Sequence, residues 1–228
     1  MNAIAHLIPD PVTPVITRVA ADQWHAIDDG LTVGRGNTSR RPDGRQFISI
    51  DAWHDTDFDQ LAAVMLAELP APLYTVLDAE DSATAENWRR AGFVERRRER
   101  HYLVPLEARV TVRPPAGVTF AGGEDVFRAE VEGTGSAGAE VGLIRLTPLM
   151  RSDGTPRIAR IASIEVHADH RRRGIGRALL AHALDALRER GFRLASADVA
   201  ENDTAAIVLI EGAGARRTSN SMELMWQD

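Results

Sequence analysis

One order of elements is written twice along this 228-residue chain, and that repetition constrains the fold more than any single motif. Trp24 to Gly30 followed by Leu31 to Gly34 reads as a strand, a turn and a strand, and Phe127 to Gly133 followed by Glu140 to Leu143 repeats it. Ser49-Ile-Asp51 is answered by Ser163-Ile-Glu165, inside a segment 160–167 that alternates apolar and polar residues as a half-buried strand does. A helix over Asp57–Leu69 parallels a longer one in which Ile175, Leu179, Leu180, Ala183, Leu184 and Leu187 recur with helical spacing before Gly191 stops it. Leu73–Asp78 and Leu194–Val199 read as the next strands, and Ser82–Arg90 and Thr204–Glu211 as short helices. Ala91-Gly-Phe93 then matches Ala213-Gly-Ala215. The pattern predicts an α/β (α+β) chain: two mixed β-sheet units with flanking helices, related by internal duplication. Pro105 and Pro114-Pro115 interrupt regular structure, which sets the expected units at 1–106 and 107–228. Gly133–Gly138 and Ser152–Pro156 read as loops.

The copies differ at one junction. In the second, the strand hands over to its helix through Arg171-Arg172-Arg173-Gly174-Ile175-Gly176. Glycines at such a junction let successive backbone N–H groups curl into a concave nest at a helix N-terminus, which binds phosphate. A Cβ would hinder the approach of an anion, and the arginines add full positive charges. The loop lacks the Lys-Ser/Thr ending of a nucleoside-triphosphate loop, and Leu179 stands where a dinucleotide fingerprint needs a third glycine. A pyrophosphate is the expected ligand. In the first copy, Ala52 to Leu77 spans 25 positions against 33 from Val166 to Val199. The arginine-glycine loop is absent there, and Asp55-Thr-Asp-Phe-Asp-Gln60 stands in its place. Its acidic groups would repel a pyrophosphate, so the first copy is expected to complete the fold rather than bind the ligand.

Composition removes other classes of function. A formal net charge of −6 argues against a general nucleic-acid or anionic-membrane binder, because positive charge is local, at Arg171–Arg173 and Arg96–Arg98. The chain has no cysteine, hence no disulfide, thiolate nucleophile or cysteine metal site. Its seven histidines form no metal-binding spacing, so no metal is expected. His167 and His170 are expected to pack the loop, and His182 to lie on the exposed side of its helix. No apolar run approaches the ~18 residues of a membrane span. Met1–Pro14 carries Pro9, Pro11 and Pro14 without a basic start, reading as a loose arm rather than an export signal. A cytoplasmic protein is expected. All 27 basic residues are arginine, so the chain has no lysine amine.

Two linked segments resemble the GNAT superfamily of acyl-CoA N-acyltransferases. In that family a strand ending in Val leads, five residues later, to Arg/Gln-x-x-Gly-x-Gly/Ala and a helix, the spacing of Val166 and Arg171. A later strand, an Asn and A-x-x-L-Y-x-x-x-G-F are similar to Val199 through Ala215, with Leu209 and Gly214 matching. The resemblance covers roughly residues 126–226. Each copy looks like a GNAT unit stripped of the two helices the family places between its first and second strands.

The resemblance implies that Ile164, Glu165 and Val166 part from the neighbouring strand and offer backbone groups to a pantetheine arm. It implies that Arg171, Arg172, Arg173, Gly174, Ile175, Gly176 and Arg177 wrap the pyrophosphate of acetyl-CoA. The family Asn aligns on Asp203, with Asn202 one residue earlier, so either can serve. The family Tyr, which protonates the departing thiolate, aligns on Ile210, and isoleucine has no proton to give. Ser219, Ser221 or water can take that part. Two carboxylates are candidates for the catalytic base: Asp198, where ribosomal-protein alanine acetyltransferases carry a glutamate, and Glu165 on the central strand. The implied activity is direct transfer of an acetyl group to a primary amine of a small molecule or peptide. The implied state is a monomer with an internal pseudo-dimer, or a homodimer. Ile210 also admits a CoA-binding regulatory or structural protein without turnover.

Overall fold

The computed structural model describes residues 13–41, 43–107, 112–131 and 138–227. The arm before residue 13, most of the expected 133–138 loop and part of the 105–115 boundary lie outside the described residues. The chain divides into two compact units, residues 1–97 with 221–228, and residues 98–220.

The first copy runs β1 (Val15–Ala20), β2 (Gln23–Asp28), β3 (Leu31–Arg40), β4 (Gln46–Ala52), α1 (Asp55–Glu68), β5 (Leu73–Asp78), α2 (Ser82–Arg90) and β6 (Val94–Pro105). The second repeats that order: β7 (Val118–Gly123), β8 (Val126–Val131), β9 (Ala139–Met150), β10 (Pro156–Val166), α3 (Ile175–Glu189), β11 (Leu194–Ala200), α4 (Thr204–Glu211) and β12 (Arg216–Trp226). A short 3-10 turn over Ala168–His170 precedes α3. The expected mixed α/β architecture is present, and β5, α2 and α4 have the bounds read from the sequence. Only Glu124 and Asp125 join β7 to β8, so no helices intervene there.

The units do not divide at 1–106 and 107–228, because the copies exchange their last strands. From Arg98 onward β6 belongs to the second unit, where it pairs antiparallel with β11. From Ser221 onward β12 belongs to the first unit and pairs antiparallel with β5. The first unit thus runs β1-β2-β3-β4-β5-β12 and the second β6-β11-β10-β9-β8-β7. Each unit's helices cover one face of its own strands.

In the first unit Trp24, Ile48, Leu61, Met65, Trp88, Phe93 and Leu224 form the core. Trp88 meets Phe58 and Phe93 edge-on at 4.9 and 4.7 Å between ring centroids, the arrangement the ring quadrupoles favour. α2 begins where Asp81 accepts a hydrogen bond from Thr84 N at 3.0 Å and ends on Arg89 and Arg90, which suit the negative end of its dipole. On the helix-free side the Glu223 carboxylate is 3% exposed. Arg45 reaches both its oxygens at 3.1 and 2.9 Å, Arg96 one at 2.8 Å and Arg97 the other at 3.4 Å. A buried carboxylate needs such partners, since desolvation without pairing is costly.

In the second unit, α3 presents Ile175, Leu179, Leu180, Ala183, Leu184 and Leu187 to Ala159, Ile161, Ala195, Ala197 and Val199 of the central strands. Tyr102, Val104 and Leu106, contributed by β6 and its end, complete this core. His182 lies on the exposed side of α3, stacked on Phe120 at 5.1 Å. No helix among the described residues is long and apolar enough to cross a membrane.

Two outcomes follow from this packing. A fragment of residues 107–228 lacks β6 and with it Tyr102, Val104 and Leu106, which are 1%, 0% and 4% exposed; it should aggregate and show no cooperative melt, while one starting at Arg98 should recover a melt. Glu223→Ala leaves three arginines around a vacated buried position and should lower unfolding stability by about 2–3 kcal/mol in urea titration, less than a fully buried pair because the arginines are partly solvated.

Candidate functional site

The candidate site lies in the second unit, and its geometry begins with a broken ladder. β10 and β11 are parallel and pair only at Ala159↔Ala195, Arg160↔Ser196 and Ile161↔Ala197. β10 then runs on to Val166 beside β9, and β11 to Ala200 beside β6, without pairing to each other. At the parting point β10 has a register shift between Ile161 and Ser163, so Ala162 is an extra residue that bends the strand. In the first unit β4 and β5 also part after two pairs, Gln46↔Leu73 and Phe47↔Tyr74, but β4 has no such bulge. Ile164, Glu165 and Val166 therefore line an interior sheet edge in the second unit, with Ile164 and Val166 packed partly against the core.

The chain leaves Val166 through the 3-10 turn and enters α3 by a loop in left-handed backbone. Arg172 has φ 62° and Gly174, the residue capping α3, has φ 81°. Alternation of this kind turns successive N–H groups inward. Gly174 has no side chain to cap the helix, so the first N–H groups of α3 face the loop unsatisfied by a cap. A Cβ on Gly174 would meet only Pro115 Cγ at 3.9 Å, and one on Gly176 would meet Val166 Cγ2 at 3.6 Å and Leu209 Cδ2 at 3.7 Å. Arg171, Arg172, Arg173, Gly174 and Arg177 are exposed, whereas Ile175 is buried and anchors the helix start. Among the described residues Arg172, Arg173 and Arg177 have no carboxylate partner. Arg171 is used differently: its Nε donates to the Val166 carbonyl at 3.0 Å, tying the loop to the strand end.

The first copy has nothing comparable. α1 starts directly after His54, and Asp55, Asp57 and Asp59 occupy its opening. Asp57 is buried, Asp55 accepts from Asn87 at 3.1 Å and Asp59 from Arg90 at 3.0 Å.

Asp203 is the N-cap of α4, its Oδ1 accepting from Ala206 N at 2.9 Å, just as Asp81 caps α2; Asn202 beside it is exposed. Ile210 is 2% exposed inside the core. Glu165 extends from the helix-free side and pairs with Arg145 at 3.0 Å. Asp198 lies one residue beyond the last residue of β11 that pairs with β10. Its Oδ1 is 2.6 Å from His101 Nδ1 and its Oδ2 is 2.8 Å from Arg160.

Two residues of β6 escaped the sequence reading. His101 is the register partner of Asp198. Tyr102 is the partner of Ala197 and donates its phenol proton to Glu211 at 2.9 Å. Burial, reinforced by the Glu211 carboxylate and opposed by Arg100, holds that phenol above its ordinary range, so it keeps its proton. The signal available was the alternation of residues 100–104, but nothing local to it reveals a partner strand nearly a hundred residues away.

The described residues hold no group of three or more potential metal ligands. A family model described as Acetyltransferase (GNAT) family matches residues 65–214. Among curated protein sequences none matches the chain. A GCN5-related N-acetyltransferase from Sphaerobacter thermophilus is similar in structure, with TM-score 0.68 and 14% identity over 92% of this chain and 82% of that one. A tandem GNAT protein from the clavulanic acid biosynthesis pathway has TM-score 0.61 and 15% identity over 95% and 84%. A GCN5-related N-acetyltransferase from Kribbella flavida has TM-score 0.58 and 15% identity over 95% and 90%. At these identities the structures speak for the fold; the family match, spanning most of the chain from α1 to the end of α4, shows that the protein belongs to the GNAT acetyltransferase family.

Proposed function

We propose that the protein transfers an acetyl group from acetyl-CoA directly to a primary amine, at one site in its second unit. The observation that carries this reading is the left-handed turn at Arg172 and Gly174, with Arg172, Arg173 and Arg177 without a carboxylate partner among the described residues, next to strands that part after Ile161. The loop suits a pyrophosphate, because inward N–H groups, a helix start and unpaired arginines all favour a dianion. Ile164, Glu165 and Val166 offer strand-edge groups to an extended pantetheine, in the manner of an added β-strand. Arg171, by holding the Val166 carbonyl, fixes the strand end on which that edge depends. Asp203 keeps one oxygen on its cap, which leaves the exposed Asn202 as the better side-chain partner for the arm.

Without cysteine there is no thiol to carry an acyl group, so the amine attacks the thioester in a ternary complex. Its nitrogen must first lose a proton. Asp198 and Glu165 are the carboxylates placed to influence that proton, both on the helix-free side where the absent helices leave the strands open. Holding the two reactants together supplies much of the acceleration. With Ile210 buried, the departing thiolate takes its proton from water or a hydroxyl. An acyl-CoA requirement fits a cytoplasmic enzyme, monomeric or homodimeric.

Calorimetry should find one CoA per chain. Gly174→Asn, which tolerates left-handed backbone, should bind nearly as well as the unaltered chain. Gly174→Asp should weaken binding by about 100-fold by setting a negative charge in the nest, an electrostatic cost of roughly 2–3 kcal/mol. Two equal sites, or equal affinity of both variants, would contradict the assignment. Thiol release from acetyl-CoA across a panel of primary amines tests turnover; CoA binding without release for any amine favours a regulatory CoA-binding protein.

A further inference from the structure

We infer that the acceptor amine also carries a carboxylate, as an amino acid does, and that Arg160 receives that carboxylate; this rests on the acyltransfer reading above. The position follows from the direction of the gap between β10 and β11. The phosphate nest lies past Val166, so an arm laid along β10 brings its acyl end to the closed end of the gap, where Ile161↔Ala197 is the last pair. Ile161 and Ala197 point into the core beneath α3. Their neighbours Arg160 and Asp198 point to the helix-free face of the unit, where Oδ2 of Asp198 is 2.8 Å from Arg160 Nη2. An acceptor that reaches the acyl carbonyl from that face meets this pair.

Arg160 has capacity for a second anion. Among the described residues Asp198 is its one partner, and 56% of its side chain is exposed. A guanidinium offers five N–H donors in a planar fork, more than one carboxylate oxygen uses. Asp198 does not depend on Arg160 alone, since its Oδ1 is 2.6 Å from His101 Nδ1. The fork can therefore be shared between Asp198 and an incoming carboxylate. Comparison of the copies supports the assignment. By register Phe47 stands in the place of Arg160 and Val76 in that of Asp198, so the copy without the phosphate loop also lacks this pair.

The charges beside the gap select the kind of anion. Arg160 and Arg145 are matched by Asp198 and Glu165, with Arg145 reaching Glu165 at 3.0 Å. These four side chains cancel in charge, so a dianionic phosphate gains no net attraction from them. A monoanionic carboxylate needs one arginine fork, which it can meet with two parallel hydrogen bonds. The carboxylates of Asp198 and Glu165 suit the ammonium of the same molecule before it loses its proton. A zwitterion complements both signs on this side of the gap, whereas a plain alkylamine complements one.

The test measures thiol release from acetyl-CoA by the full chain with a series of amino acids and their carboxamides, each pair differing in the carboxylate. The unaltered chain should show the higher kcat/KM with the acids, mainly through a lower KM. Arg160→Gln should lower the acid-to-amide ratio of kcat/KM by about 10–100-fold, the worth of a charge-assisted pair of hydrogen bonds. The amine of a carboxamide is less basic, but that difference cancels when the ratio is compared between the two proteins. Arg160→Lys, which keeps the charge without the planar fork, should retain part of the preference. Equal use of acids and amides by the unaltered chain, turnover confined to amines without a carboxylate, or a ratio that Arg160→Gln leaves unchanged overturns the inference and leaves acyltransfer standing. A loss in Arg160→Gln that is equal for acids and amides also overturns it, because the arginine would then act only through Asp198. No release by the unaltered chain with any amine overturns acyltransfer itself, and the inference with it.

Discussion

Two parallel strands that pair for three residues and then separate set the conditions for everything else in the second unit. A sheet interior ordinarily satisfies every backbone N–H and C=O, and an unpaired edge inside it is costly unless something else meets those groups. Here the separation is built in by the extra residue at Ala162 and held at its far end by Arg171 on the Val166 carbonyl. The loop that follows can curl into a nest only because Gly174 accepts φ 81°. An opened ladder next to an anion cradle is a recurring physical solution for a ligand with an extended polar arm and a charged end. In the proposed complex the arm would take the place of the missing strand, and the charged end would meet the helix start.

The same break in the first unit shows that separation alone does not make a site. β4 and β5 part after Phe47 and Tyr74, yet β4 is unbulged and α1 follows almost at once. Acidic residues fill the opening of α1, where they favour the helix dipole and disfavour an anion. On the opposite face, Arg45, Arg96 and Arg97 are turned onto the buried Glu223. Those three arginines of the first copy serve cohesion, whereas Arg172, Arg173 and Arg177 of the second have no carboxylate partner among the described residues.

How much of this could be read from the sequence depended on range. β5, α2, α4 and α3 follow local signals: Gly191 as a stop and the apolar period from Ile175 to Leu187 were read directly, whereas the caps Asp81 and Asp203 emerged from the structure. The phosphate loop is local too, since glycine spacing and arginine charge lie within one turn. The edge strands β1 and β7 were missed because they are short: all of β1 but Ile16 is exposed, and β7 ends in two glycines after Val118 and Phe120, which pack on the core. Exchange of β6 and β12 was unreadable, because each strand fits either sheet by its own alternation. His101 was hidden for that reason: its meaning comes from Asp198, which no nearby motif signals.

Strand exchange also bears on why a copy without a phosphate loop is kept. Residues 98–105 belong to the first copy by order of elements but to the second unit by pairing. They cover the outer edge of β11, bury Tyr102 and Val104 in the core and set His101 against Asp198. In return residues 221–226 close the edge of β5 and bring Met222 and Leu224 into the first core. Neither unit is complete without a segment from the other copy, so losing the first copy would remove the edge cover of β11 and part of the second core. The opening of α1 has no part in that exchange, whereas β6 must keep its register with β11. Tyr102 and Val104 thus answer to the packing of the second unit, while residues 55–59 answer to the packing of α1.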